Sequence, residues 1–279
     1  MNIILVHGIL GFREKFGVDY FNNVKEHLLE RPGSNILVPQ LDATGDIRKC
    51  GEQLRGLILA AFAEGTLDPA AKTHIIGHSQ GGLNARFMLS PKNPNTNAGN
   101  DLSSKITSLA TIGSPHQGSP VADLLAGKPL DGKFKSLESI LHHLDLGQDI
   151  VRALLERLGI NPNALLDLTT ERMWEFNLDY PDNREVQYFS VAGQGRAGTP
   201  QTCLFLLEFH HYIKSVTGEE NDGLVTISSA QRWGASWPAW PADHADEIGH
   251  DLNNLELKPV PGFDYLAAYD AIVDRVSTL

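Results

Sequence analysis

The chain has 279 residues, of which 42% are hydrophobic and 20% charged, as in a soluble globular protein. Its formal net charge of −11 argues against nucleic acid or an anionic membrane surface as a partner and leaves contact with a neutral lipid interface open. Cys50 and Cys203 are the only cysteines, which excludes a cysteine metal site and allows at most one disulfide.

The N-terminal residues have the pattern of a strand and show no basic leader, apolar core or small-residue cleavage site. We therefore expect a cytoplasmic protein or one that is secreted by a leaderless route. No apolar run approaches the roughly 20 residues that a membrane span needs, so no transmembrane segment is predicted.

Strand and helix patterns alternate along the chain. Short apolar runs predict strands at 3–6, 36–38, 75–76, 106–112 and 186–191. Apolar residues at helical spacing predict helices, with Val24, Leu28 and Leu29 in the first, Leu54, Leu57, Ile58, Ala61 and Phe62 in the second, and Tyr265, Ala268, Ile272 and Val276 in the last. This order predicts an α/β fold with a mostly parallel, doubly wound sheet, in one domain that spans residues 1–279.

The alternation stops between residues 118 and 162, where helical runs occur without a clear strand. Insertions at the carboxyl edge of an α/β sheet lie over the active site. We therefore predict a helical insertion at 119–162. It is a mobile lid or cap, which could contact a lipid interface transiently, a helical subdomain that is packed for stability, or both.

The strand at 75–76 leads into Gly77-His78-Ser79-Gln80-Gly81, the Gly-x-Ser-x-Gly pattern of a nucleophile elbow. In such an elbow the serine has strained backbone angles, and side chains at the flanking positions would collide with neighbouring elements. The stretch at 83–89 has a helix-like pattern, and the N-terminus of such a helix would aim backbone N–H groups at the bond that the serine attacks. Ser79 is therefore the predicted nucleophile.

A second glycine-containing loop, His7-Gly8-Ile9-Leu10-Gly11, directly follows the first strand. Its glycines allow backbone N–H groups to approach a bound oxyanion. We predict an oxyanion hole formed by the backbone amides of Ile9 and Gln80. The alternative is an ordinary turn after a strand.

A serine nucleophile needs a base and an orienting carboxylate, which follow it in the order acid and then histidine in this fold. Asp222, in Asn221-Asp222-Gly223, is the best acid candidate, although Asp-Gly is also a common turn. His244 and His250 are the downstream candidates for the base. His116 is out of order, which indicates a structural or pocket residue.

Substrate contacts are predicted from residues next to these motifs. Trp233, Trp237 and Trp240 precede His244 and could wall an acyl or aryl pocket, or simply pack a long loop. Leu10, in the predicted oxyanion loop, and His78, next to Ser79, are the other candidates.

Several separated motifs together resemble the bacterial true lipases, the triacylglycerol lipases of the Pseudomonas, Burkholderia and Proteus type. Within that family, the glutamine at position 80 of the elbow makes the chain most similar to the Proteus branch. The matching stretches, which follow one another in the family's order, are 4–12, 17–21, 76–82, 113–119, 168–171, 221–225 and 244–247. The resemblance implies an α/β-hydrolase fold, a Ser79, Asp222, His244 triad, an oxyanion hole at Ile9 and Gln80, and a helical lid after Ser119.

The resemblance also implies a structural calcium ion that braces the loop carrying His244 (the histidine loop). Asp246 is the candidate ligand of this ion. The family's glutamine ligand corresponds to His250, and residues 190–202 contain no aspartate. Since calcium prefers several oxygen ligands, these departures argue against the ion. Asp246 could instead fix the loop through hydrogen bonds. The chemistry itself requires no cofactor.

The leading hypothesis is therefore a serine carboxylic ester hydrolase that acts as a lipase on acylglycerol esters through an acyl-enzyme on Ser79. A short-chain carboxylesterase and an acyltransferase would use the same triad. The alternative from another class is a catalytically silent binding protein that keeps the hydrolase fold.

Overall fold

The computed structural model describes residues 1–9, 19–126, 162–195, 202–250 and 262–279. Its strands are β1 (Asn2–Val6), β2 (Asn35–Leu37), β3 (Thr73–His78), β4 (Ile106–Ile112), β5 (Gln187–Val191) and β6 (Ala235–Ser236). Its helices are α1 (Val24–Leu29), α2 (Ile47–Ala63), α3 (Gln80–Leu89), α4 (Pro120–Leu125), α5 (Pro162–Leu166), α6 (Thr170–Asp179), α7 (Leu204–Thr217), α8 (Ile227–Gln231) and α9 (Tyr265–Ser277).

The six strands form one sheet in the order β2-β1-β3-β4-β5-β6, and every pairing between neighbours is parallel. The predicted doubly wound α/β sheet is therefore confirmed. Because all the strands run in the same direction, their carboxyl ends meet at one edge, where the loops after β1, β3, β4 and β5 lie together.

Alternate residues of the central strands are buried on opposite faces of this sheet. Ile3 and Leu5 of β1 face a core that includes α1 and α9, whereas Ile4 and Val6 face a core built largely on α2 and α3. Burial on both faces explains why the strands are continuous apolar runs in the sequence rather than alternating ones. The sheet is thus a rigid platform for the loops at its carboxyl edge.

Most of the predicted elements are confirmed within a residue or two of their bounds. In α2, Leu54 and Ile58 are fully buried, whereas Leu57, which the apolar pattern groups with them, is 39% exposed. His250 lies just after a short 3₁₀ turn (Asp246–Ile248).

Most of the predicted insertion at 119–162 lies outside the described residues, except α4 and the first residue of α5. The lid or cap therefore stays a prediction, as does the single-domain organisation. Both cysteines are free and buried. In the described part of the chain, no helix combines the length and apolar character that crossing a bilayer demands.

Candidate active site

Ser79 lies at the sharp turn between β3 and α3, with φ 54° and ψ −131°. Apart from glycines, only Ser79 and Asn23 have a positive φ among the described residues. The end of β4 and the loop after it hold this conformation, because the Ser79 amide donates to the Ile112 carbonyl (2.9 Å) and the Ser114 hydroxyl donates to the Ser79 carbonyl (2.6 Å). Strain that the surroundings maintain in this way is characteristic of functional sites.

The glycines of the elbow are required by packing. A Cβ atom on Gly81 would lie 2.2 Å from the Val6 carbonyl oxygen, and one on Gly77 would lie 2.7 Å from Cα of Gly82. Both contacts are with backbone, which cannot move aside as a flexible side chain can. The turn therefore forms only with glycine at both positions, as the sequence pattern predicts.

Asp222 and His244 lie in separate loops at the same edge of the sheet. The Nδ1 atom of His244 is 2.8 Å from Oδ2 of Asp222, and the His244 amide donates to the Asp222 carbonyl (2.9 Å). The other carboxylate oxygen, Oδ1, accepts the amides of Leu224 (2.8 Å) and Val225 (2.7 Å). These bonds fix the carboxylate, which is 1% exposed, so that one oxygen faces the imidazole.

This geometry fixes the tautomer of His244. An ionised carboxylate can only accept, so His244 Nδ1 carries the proton and Nε2 keeps a lone pair, as a general base requires. The ring lies beside the elbow, because its centroid is 4.5 Å from that of His78, the residue before Ser79. Ser79 itself is partly exposed, whereas its neighbours His78 and Gln80 are buried.

The loop after β1 packs directly on the elbow. A Cβ atom on Gly8 would lie 2.7 Å from Cβ of Ser79, so the Gly8–Ile9 peptide passes next to the serine. Gln80 begins α3, and its side chain is turned away to donate to the Gly45 carbonyl (2.9 Å), which leaves its backbone as the group next to Ser79. The arrangement is compatible with the oxyanion hole predicted at the Ile9 and Gln80 amides.

Glu247 is a component of the site to which the sequence assigned no role. Its carboxyl is fully buried, 2.9 Å from His78 Nε2 and 3.6 Å from His244 Nδ1, and His78 Nδ1 lies 2.7 Å from the Tyr20 hydroxyl. Burial raises the pKa of Glu247 well above its ordinary value, and the nearby Asp222 adds to the rise. Burial likewise lowers the pKa of His78 well below its usual range.

Both shifts favour the neutral forms of His78 and Glu247 in this contact. The carboxylate nearest to His244 Nδ1 is that of Asp222 (2.8 Å), with Glu247 farther away (3.6 Å). The close fit of Glu247 depends on Gly113 and Gly193, where a Cβ atom would lie 2.2 Å from a carboxyl oxygen. Only the spacing of Glu247, three residues after His244 on the 3₁₀ turn, could have indicated this contact from the sequence.

The predicted substrate residues have different surroundings. Leu10 lies outside the described residues, and His78 is held in the buried pair with Glu247. Trp233 stacks on His116 (4.2 Å between centroids) and belongs to the core on the α2 face, whereas Trp237 and Trp240 pack against the opposite core. The tryptophans thus make packing contacts on both faces of the sheet, and substrate binding by them stays a prediction.

The described residues do not fit the calcium site that the resemblance implies. His250 is at the position of the glutamine ligand, and its Nε2 lies 2.9 Å and 3.0 Å from the carbonyl oxygens of Asp19 and Tyr20. Because a carbonyl oxygen can only accept a hydrogen bond, His250 Nε2 carries a proton. The Asp246 Oδ2 atom accepts the Asp243 amide (3.2 Å). A protonated ring nitrogen is not a calcium ligand.

The histidine loop is instead held by hydrogen bonds to the Asp243 carboxylate. Its Oδ1 atom accepts the amides of Ala245 and Asp246 (both 2.9 Å), and its Oδ2 atom accepts the Cys203 amide (2.7 Å). His78, His244 and Glu247 also offer ligand atoms within 4.8 Å of one another. Those atoms are committed to the hydrogen bonds described above, so we assign no metal to this cluster.

Residues 3–150 match the model of a family described as "Putative serine esterase (DUF676)". The chain is 31% identical over 264 residues to a triacylglycerol lipase of Vibrio cholerae, covering 88% of this chain and 78% of the relative. It is 28% identical to a triacylglycerol lipase of Pseudomonas fragi, covering 89% and 87%. The crystal structure of Staphylococcus hyicus lipase has the same fold, with a TM-score of 0.68, 19% identity, and coverage of 99% of this chain and 96% of that chain.

Proposed function

The chain belongs to the serine esterase family whose model it matches, and we propose that it is a lipase that cleaves acylglycerol esters through an acyl-enzyme on Ser79. It is a serine ester hydrolase of the α/β-hydrolase type, related to bacterial triacylglycerol lipases.

The observation that carries the proposal is the Asp222–His244 contact beside the strained Ser79 turn. With Nδ1–H donated to Asp222, His244 Nε2 accepts the Ser79 hydroxyl proton while Oγ attacks the ester carbonyl carbon. The carbonyl oxygen becomes an oxyanion, which the Ile9 and Gln80 amides stabilise. Collapse of this intermediate breaks the ester bond, and His244 returns the proton to the departing alcohol.

Water completes the cycle. His244 removes a proton from a water molecule that attacks the acyl-enzyme, and a second tetrahedral intermediate collapses to release the carboxylic acid and restore Ser79. Asp222 holds the histidine tautomer and stabilises the imidazolium in both halves of the reaction. None of these steps requires a metal or an organic cofactor.

The acidic balance of the chain, with a net charge of −11, supports an uncharged lipid interface rather than nucleic acid as the surface on which it acts. We propose that the segment 119–162 makes this contact as a lid. Hydrolysis of emulsified long-chain triacylglycerol above its solubility limit tests whether the protein acts as a lipase at such an interface. A short-chain carboxylesterase would hydrolyse soluble butyrate esters and leave the emulsion intact.

The decisive experiment on the mechanism is Ser79→Ala, with Ser215→Ala, at an exposed serine on α7, as the matched control. We expect Ser79→Ala to lose nearly all hydrolysis of p-nitrophenyl butyrate and all labelling by a fluorophosphonate probe, with an unchanged circular dichroism spectrum. Wild-type activity in Ser79→Ala would refute the acyl-enzyme. Hydrolysis in the presence of a competing alcohol, with the products separated, distinguishes a hydrolase from an acyltransferase.

A further inference from the structure

The side chain of His7, directly after β1, makes two hydrogen bonds shorter than 3 Å that the proposed mechanism leaves unused, and a longer one of 3.5 Å between Nε2 and the side-chain amide of Gln40. The ring is 3% exposed. Its Nε2 atom lies 2.9 Å from the Leu41 backbone amide, and its Nδ1 atom lies 2.8 Å from the carbonyl oxygen of the next residue, Gly8.

These two partners determine where the proton is. A backbone N–H can only donate, so His7 Nε2 must be the acceptor of the Leu41 amide and must lack a proton. A carbonyl can only accept, so Nδ1 carries the proton and donates it to Gly8. The imidazole is therefore neutral, in agreement with burial, which lowers the pKa of His7.

The Gly8 carbonyl belongs to the same peptide plane as the Ile9 N–H. In a trans peptide these two groups point in opposite directions, so fixing the carbonyl also fixes the direction of the N–H. The plane passes next to the nucleophile, because a Cβ atom on Gly8 would lie 2.7 Å from Cβ of Ser79. The His7 ring thus sets the orientation of an amide at the serine.

We propose that His7 is a positioning residue of the oxyanion hole, which aims the Ile9 N–H at the developing oxyanion through its Nδ1–H bond to the Gly8 carbonyl. The inference rests on the proposed function, in which that amide stabilises the tetrahedral intermediate. A loop that contains two glycines and must approach the serine closely has many accessible backbone orientations. The imidazole selects one of them, and the Leu41 amide in turn holds the imidazole.

Two substitutions separate the two hydrogen bonds. In His7→Asn, the side-chain amide nitrogen replaces Nδ1 and can still donate to Gly8, but the Leu41 amide loses its acceptor. In His7→Gln, the side-chain oxygen can replace Nε2 as the acceptor for Leu41, but the donor to Gly8 is lost. His74→Gln is the matched control for replacing a buried histidine, since His74 lies at the opposite end of β3 and bonds to Ser108.

The measurement is kcat and KM for p-nitrophenyl butyrate beside the melting temperature of each variant. We expect kcat to fall on the order of tenfold to a hundredfold in His7→Gln with little change in KM, because the oxyanion forms only in the transition state. His7→Asn should keep a kcat within a few-fold of wild type although its melting temperature falls. His74→Gln should lose stability without losing kcat.

A merely structural role for His7 would give the opposite pattern, in which kcat follows the loss of melting temperature in all three variants. Wild-type kcat in His7→Gln, or an equal loss of kcat in both His7 variants, would overturn the inference. Affinity for a boronic acid, which forms a tetrahedral anionic adduct on the serine, should fall in His7→Gln in proportion to kcat/KM. If Ser79→Ala is inactive while His7→Gln is fully active, only the role of His7 fails and the proposed function stands.

Discussion

Gly8 and Ser79, which are 71 positions apart in the sequence, pack so closely that no side chain fits between them. A Cβ atom at position 8 would lie 2.7 Å from Cβ of Ser79, 2.9 Å from the Tyr20 hydroxyl and 3.1 Å from the His78 carbonyl oxygen. The loop that contains Ile9 and the turn that carries the proposed nucleophile are thus closely packed against each other, without space for a side chain at position 8.

Gly8→Ala should therefore displace the Ile9 amide from the serine. We expect kcat for p-nitrophenyl butyrate to fall at least about tenfold and the free energy of unfolding to fall by about 1–3 kcal/mol, as for other overpacked sites. Gly56→Ala is the control, because a Cβ atom on this glycine of α2 meets nothing within 4 Å. That change should raise stability by about 0.5–1 kcal/mol and leave kcat unaltered. Wild-type kcat in Gly8→Ala would show that the loop and the elbow adjust independently.

Asp222→Asn tests the orienting role of the carboxylate. The Asp222 carboxylate accepts three hydrogen bonds, from His244 Nδ1 and from the amides of Leu224 and Val225. Its backbone carbonyl accepts a fourth, from the His244 amide. An amide group must turn its NH₂ either toward two backbone donors or toward His244 Nδ1, where it favours the wrong tautomer. We expect kcat to fall on the order of 10³ to 10⁴-fold, measured at saturating ester.

Asp182→Asn is the matched control for this substitution. Asp182 accepts hydrogen bonds from Arg86 and Trp233, in a cluster that contains no residue of the proposed triad. The change should lower the melting temperature and leave kcat within a few-fold of wild type. A kcat for Asp222→Asn that stays within tenfold of wild type would mean that another carboxyl, of which Glu247 is the nearest to His244, orients the base.

The sequence predicts the parts of the site that depend on local backbone geometry. The Gly77 and Gly81 pattern, the apolar run before it and the helix after it are all consequences of one strand-turn-helix unit, so they appear together in the chain. The sequence predicts the strands β1 and β4 for a similar reason, since burial on both faces leaves a continuous apolar run.

The parts that depend on distant contacts could not be predicted in this way. β6 has only two residues, Ala235 and Ser236, both exposed, and it exists because β5 offers an edge to pair with. The burial of Glu247 requires the glycines at 113 and 193, which come from the loops after β4 and β5. The hydrogen bond from the Leu41 amide to the His7 ring joins positions that only the folded sheet brings together.

We expect the stability of the histidine loop to be independent of calcium. Asp243 accepts three backbone amides across this loop, and the His250 ring donates to backbone carbonyls where the resembling lipases have a glutamine ligand. The melting temperature and the rate of ester hydrolysis should therefore be equal in excess calcium and in excess chelator. A stabilisation by calcium that is abolished by Asp246→Asn would contradict this expectation.

Asp243→Ala should destabilise the protein, whereas removal of calcium should not. Loss of the carboxylate leaves the buried amide of Cys203 and two amides of the histidine loop without acceptors, at a cost of about 3 kcal/mol in the free energy of unfolding. Activity should fall with stability because His244 directly follows Asp243. Urea unfolding followed by tryptophan fluorescence gives the free energy, and unchanged stability would show that the loop has another brace.

His74 gives the fold a pH dependence with a definite sign. Burial lowers the pKa of its imidazole from 6.5 to about 4, and the positive charges of Lys72 and the N-terminus add to the shift. Between these two values the unfolded chain binds a proton that the folded chain does not. The contribution of His74 to stability is therefore complete above pH 6.5, decreases as the pH falls through 6.5, and levels off near pH 4.

His74→Gln removes this group without changing the charge of the folded protein at neutral pH. The loss of melting temperature on going from pH 7.5 to pH 5 should be smaller in His74→Gln than in wild type, as measured by scanning calorimetry at constant ionic strength. His211→Gln, an exposed position on α7, is the control and should keep the wild-type pH dependence. Other buried histidines contribute to the total slope, so the difference between the two variants isolates His74. An identical slope in both would mean that the unfolded chain and the folded chain bind the His74 proton equally well.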